Sequence, residues 1–164
     1  MREDRPLGVR RLVDEVRAVD TRPLRGVALF APVGTTSAVM AAENPMWPTR
    51  DTRRKVAELQ ARAAASSLPY IVALAVGSDT VTVYPATTKG HLAGAMVAQW
   101  QANDFHARSY QSFLALRLTV LLRGGEHHAL ETKYFRIGPN KSNWWTVRMI
   151  VKMGQLIAGE GTAL

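Results

Sequence analysis

The chain has 164 residues, is 47% apolar and 21% charged, and carries a net charge of +8 with no cysteine. That length suits one domain with a real core, and the missing cysteine excludes disulfides and thiolate metal sites. No apolar run reaches the roughly 18 residues of a membrane span, and Met1 to Pro6 has no apolar stretch behind it, so neither a transmembrane segment nor a secretory signal is expected and the expected location is cytoplasmic.

Residues 8–19 read as a first helix. Val9, Leu12, Val13, Val16 and Val19 recur at helical spacing and share one face. Arg11 and Glu15 are an i, i+4 pair in the weaker, basic-first order. Asp20 to Pro23 ends the helix, because proline disfavours a helical residue before it. The mixed charge of the polar face suits packing on the protein's own core or on a second copy better than lying on a membrane. Val27 to Phe30 is a short apolar strand, closed by Pro32 and Gly34. Residues 34–50 are rich in Ala, Thr and Pro and read as a long loop, with Trp47 as its apolar anchor or as a partner contact. Residues 51–67 read as a helix with Arg53, Arg54 and Lys55 on a solvated side, ended by Pro69.

A run of strands follows. Residues 70–76 are continuously apolar, like a strand buried on both faces. Gly77, Ser78 and Asp79 supply a turn. Thr80 to Tyr84 alternates with period two, which predicts one dry face and one wet face. Further strands are expected over 95–101, 104–110 and 113–122. In the last, Leu114, Leu116, Leu118 and Val120 oppose Phe113, Ala115, Arg117 and Thr119. Arg123-Gly124-Gly125-Glu126 suits a two-residue hairpin with positive φ at both glycines. His127 to Tyr134 returns as a strand. Ser142 or Asn143 is the expected N-cap of a closing helix from Trp144 to Ile157. The chain therefore reads as one α+β domain, with a helical extension over 1–69 and a core over 70–158. That core is a bent antiparallel sheet, or partly open barrel, capped by a C-terminal helix, with N-terminal helices before it.

Residues 70–153 resemble the bacterial PH-like fold. The likeness rests on the apolar strand 70–76, the Gly77-Ser78-Asp79-Thr80 turn, Val97 to Trp100, the Gly-Gly hairpin with Ala129-Leu130-Glu131 after it, and the closing helix. It implies a module that binds proteins, peptides or lipid headgroups, in a fold whose members are mostly not enzymes. The first hairpin carries no Lys or Arg, so headgroup recognition at that turn is not expected.

No cofactor motif or phosphate-cradling glycine loop is present. His127 and His128 are adjacent and, on a strand, point to opposite faces, which does not suit a shared metal ion. Asp104 and His106 would share a strand face and could move a proton, but no nucleophile accompanies them, so no catalytic residue, metal site or cofactor is assigned. Residues 108–152 hold eight basic residues against two acidic ones, a local net of +6. Arg117, Lys133, Arg136, Lys141, Arg148 and Lys152, with Trp144 and the distant Trp47, are the candidate binding residues. The expected function is recognition of a protein partner. The alternative is association with nucleic acid or an anionic membrane through the basic 108–152 surface.

Overall fold

The computed structural model describes residues 7–34, 54, 57, 58, 61, 67–111, 115–133 and 141–161, with side chains as far as Gly154 in the last stretch. The fold is α+β. Seven antiparallel strands form one open sheet, and a C-terminal helix closes it.

Helix α1 spans Arg10–Val19, and strand β1 spans Gly26–Pro32. Then come β2 (Val72–Val76), β3 (Thr80–Pro85), β4 (Ala98–Gln101), a 3₁₀ turn at Ala102–Asp104, β5 (Phe105–Gln111), β6 (Ala115–Leu122), β7 (His127–Lys133) and helix α2 (Lys141–Gly161). The spatial order is β4-β3-β2-β1-β7-β6-β5. Positions 54, 57, 58 and 61 are helical, within the stretch expected to be a helix.

β1 is the junction of the sheet. Gly26 to Phe30 pair with β2, and Ala31 and Pro32 pair with β7. The sheet thus draws its central strand from the N-terminal segment, and its core begins before Tyr70. Inner-face side chains of both halves meet in one cluster: Phe30, Leu74, Val83 and Trp100 from one half, Phe105, Leu118 and Leu130 from the other. Val147, Ile150 and Met153 of α2 complete it from above.

α1 covers the outer face of the first half. Leu12, Val13 and Val16 pack on Val27, Ala73, Ala75 and Tyr84. Val9 and Val19 are exposed, so the apolar stripe is shorter than its spacing predicts. Val9 is the N-cap, and Val19 ends the helix. This cover also overturns the wet face expected for β3. Thr80, Thr82 and Tyr84 are all buried, because the chain leaving α1 folds over them. Arg22 grips Asp20 through its Nε (2.9 Å) and Nη2 (2.5 Å) and reaches Thr82. Asp20 in turn accepts from the Tyr84 hydroxyl at 3.4 Å. The guanidinium hydrogen bonds hold the Asp20 carboxyl at about 2, below the usual carboxylate value.

Two local expectations change. The β6–β7 hairpin has a three-residue loop. Leu122 N–H donates to Glu126 at 2.7 Å, Gly125 N–H donates to Leu122 at 2.9 Å, and only Gly125 of the two glycines has positive φ, +90°. That is a turn followed by one left-handed glycine, which only a residue without Cβ adopts freely. α2 begins at Lys141, so Ser142 and Asn143 lie inside its first turn, buried. Asn143 does not cap the helix. Its side-chain amide donates to the Lys133 carbonyl at 2.7 Å and ties the helix to β7.

Candidate interface on the open sheet

Side chains of β5, β6 and β7 point alternately to the two faces of the sheet, though Ala115 and Glu131 on the outer face are buried too. Phe105, Ala107, Leu116, Leu118, Val120, His128 and Leu130 turn inward. His106, Arg108, Tyr110, Arg117, Thr119, Leu121, His127, Ala129, Glu131 and Lys133 lie on the other face. Among the described residues, no element packs over that face, unlike the half beneath α1.

The register arranges this face in rows. His106, Leu121 and His127 form one, Arg108, Thr119 and Ala129 the next, and Tyr110, Arg117 and Glu131 the third. Lys133 stands opposite Ala115, one step further. Tyr110 is 66% exposed and Leu121 46%. Arg108, His106, His127 and Lys133 are exposed, Arg117 is half-buried, and Glu131 and Ala115 are buried. The Arg117 Nε is buried with no hydrogen-bond partner among the described residues.

Six of the eight sequence candidates fall among the described residues, and they divide between two surfaces. Arg117 and Lys133 share the open face. Lys141, Arg148 and Lys152 are exposed on α2. Arg148 lies over the Trp144 ring, 5.0 Å from its centroid, and Trp144 meets Trp145 edge to face at 4.6 Å. Trp144 packs partly on the core, so this helix surface is an aromatic plug with a cation on it. Arg136, Trp47 and residues 35–50 of the expected loop lie outside the described residues.

The sequence reading missed Arg108, Tyr110 and Leu121. Period two along β5 and β6 was the available signal, since it sets Arg108 and Tyr110 on one face. Asp104 and His106 do not form the shared strand face expected of them. Asp104 sits in the 3₁₀ turn, and its carboxylate is 3.8 Å from Arg123. His127 and His128 do point to opposite faces. His128 stacks on Trp100 inside the sheet, ring centroids 5.8 Å apart and planes 15° from parallel. Burial pushes its imidazole below the usual value, against the pull of Glu126, whose Oε1 is 3.4 Å from Nε2 without forming a hydrogen bond.

A second polar cluster joins α1 to the loop after β3. Arg11 donates to His91 Nε2 at 2.6 Å, and His91 Nδ1 donates to Glu15 at 2.9 Å. Glu15 also accepts from the Leu92 amide. So Arg11 and Glu15 meet through His91, and these bonds hold the Glu15 carboxyl below its usual value. Each member lies on α1 or the loop it touches, which makes the cluster a fastening for that helix. Among the described residues, no three His, Asp or Glu are placed to hold a metal ion, and no helix is long and apolar enough to cross a membrane. No protein-family model matches the chain, and no curated protein is significantly similar to it.

Proposed function

We propose that the chain is a non-enzymatic binding or scaffolding module that recognises a protein partner through its sheet-and-helix core. One observation carries this reading. The sheet is covered by α1 over one half, while the β5–β7 half presents Tyr110 and Leu121 to solvent among polar and basic neighbours. An aromatic anchor with a mixed polar surround is the usual make-up of a protein interface. The seven antiparallel strands and closing helix are consistent with the PH-like pattern, whose members bind proteins and peptides. A photo-crosslinking side chain in place of Tyr110 tests the reading. It should give a defined protein adduct in native cells, and the same side chain at Val19, on exposed α1, should not. Adducts of equal yield at both positions would refute it.

A second reading draws on Arg108, Arg117 and Lys133, which the register sets on one face. Three cations on one face suit an anionic nucleic acid or membrane surface. Such binding weakens steeply with salt, so retention on nucleic acid or anionic vesicles at low salt, lost as salt rises, would favour it.

A further inference from the structure

We propose that two copies of the chain join edge to edge through β5, antiparallel about a two-fold axis at Tyr110. The inference rests on the reading of the chain as a protein-binding module and names a second copy as the partner met at Tyr110. β5 ends the sheet, with β6 on one side and no described strand on the other. The register shows which of its backbone groups face out. Arg123 N–H donates to the Asp104 carbonyl, so these two residues are a hydrogen-bonded pair. β5 and β6 then pair residue for residue, so residues 106, 108 and 110 also bond inward, and 105, 107, 109 and 111 turn N–H and C=O outward. Helix α2 covers this edge at Ala107, where a Cβ on Gly154 would stand 2.6 Å from the Ala107 nitrogen. Beyond it, Arg108, Ser109, Tyr110 and Gln111 are all exposed, side chains of both faces included. Tyr110, at 66%, is the most exposed large apolar side chain among the described residues.

An open strand edge is a template for a further strand. β4, at the other end of the sheet, is four residues long, and short edges resist pairing. On β5 the open length fixes the register. In a two-fold antiparallel pair, outward residues face outward residues. An axis at 108 or 109 sets Ala107, under α2, against the second copy. An axis at 111 leaves Ser109 opposite a position past Gln111, where β5 ends. An axis at 110 sets Ser109 against the second copy's Gln111 and Gln111 against its Ser109, and pairs each outward N–H and C=O of these residues in both copies. Between them the two Tyr110 residues stand opposite each other, about 4.5 Å apart at Cα, the spacing that brings cross-strand aromatic rings together. Charge allows this pairing on a chain of net charge +8. Arg108 is the only charged residue from 108 to 111, and its counterpart lies four residues along and one strand across, about 14 Å away. Arg117, level with Tyr110, is three strands from its own counterpart, again about 14 Å. Both separations exceed the screening length of about 8 Å at physiological salt. Arg108 lies instead on the diagonal to the second copy's Tyr110, within reach of its ring. The contact is small, so the dimer should be weak and concentration-dependent.

The test uses the full chain, purified. Sedimentation over a concentration series should show a monomer passing to a dimer. S109P and Q111P should each stay monomeric with a melting temperature close to that of the wild type, because an edge strand tolerates proline where the N–H faces out. The chain has no cysteine, so Y110C reads the axis itself, since a Cα spacing of about 4.5 Å suits a disulfide. Under mild oxidation Y110C should form dimers about tenfold faster, or more, than V19C on exposed α1 or S109C, whose sulfur does not face its own counterpart. A wild type that stays monomeric at every concentration would overturn the inference. So would a dimer that S109P leaves intact, or equal crosslinking of Y110C and V19C. If the proline variants fail to fold, Y110C and the wild-type sedimentation still decide. The photo-crosslink at position 110 separates the two levels of the reading. Capture of a different protein in native cells, with no dimer in sedimentation, sinks the inference and leaves the protein-binding reading standing. No adduct and no dimer sinks both.

Discussion

Gly154 shows how a single missing Cβ sets the closure of this fold. A Cβ there would stand 2.6 Å from the Ala107 backbone nitrogen and 3.2 Å from the Ala107 side chain, so α2 lies against the backbone of β5 where only glycine fits. Alanine is the better helix former by about 1 kcal/mol, but overpacking against an unyielding backbone costs about 1–3 kcal/mol. Gly154→Ala should therefore lower stability by up to about 2 kcal/mol net, read as a shift in the urea midpoint. An unchanged or raised midpoint would mean that α2 sits further from β5. His128 makes a second prediction at this scale. Its folded pKa is depressed by burial, so the unfolded chain takes up a proton on this residue before the folded one does. Stability is then fully present above about 6.5, the ordinary histidine value, and declines as pH falls from there toward the lowered folded value. His128→Phe keeps a ring on Trp100 and removes the proton. Its urea midpoint should change less than that of the wild type as pH falls below about 6.5. Parallel curves would count against the buried, neutral imidazole.

The helix α1 is held by an apolar stripe and by polar fastenings at each end. Leu12 is 2% exposed in a cluster with Val27 and Tyr84, so Leu12→Ala should cost about 2–5 kcal/mol, which thermal unfolding would register. The Asp20–Arg22 pair is smaller, because the Arg22 side chain is half in water and solvent screens such pairs. Asp20→Asn should cost about 1 kcal/mol at neutral pH. The Asp20 carboxyl is lowered from 3.8 to about 2, so its contribution is present above 3.8 and is lost as pH falls toward 2. The stability gap between wild type and Asp20→Asn should close across that window, and a constant gap would show that the pair does not form. Much of this element was legible in the sequence, since Leu12, Val13 and Val16 carry the helical spacing that buries them. The fastenings were not. His91 is distant in sequence from Arg11 and Glu15, and nothing local to α1 indicates that its end would seal the Thr82 face of β3.

Across the whole molecule, what could be read in advance follows from how local each cause is. Period two marked β6, and the Gly124-Gly125 pair marked the hairpin that returns as β7, because those signals lie within a few residues. Strand order and the placing of Arg108, Arg117 and Lys133 on one face depend on the register of three strands, which no single segment encodes. The basic count over 108–152 thus merged two surfaces, the sheet face and the α2 exterior, that the fold keeps apart. The same alternation separates binding from stability, residue by residue, along β6. Leu118 is fully buried and Leu121, three residues on, is 46% exposed, so the two test opposite faces of one strand. Leu118→Ala should cost about 2–5 kcal/mol through the cavity it leaves. Leu121→Ser and Tyr110→Ala, on the open face, should each alter stability by no more than about 0.5 kcal/mol. If that face is the interface, the pair Leu121→Ser and Tyr110→Ala should abolish association with the protein crosslinked at position 110, at an unchanged melting temperature. A double variant that melts normally and still binds that partner at wild-type affinity would place the interface elsewhere on the chain.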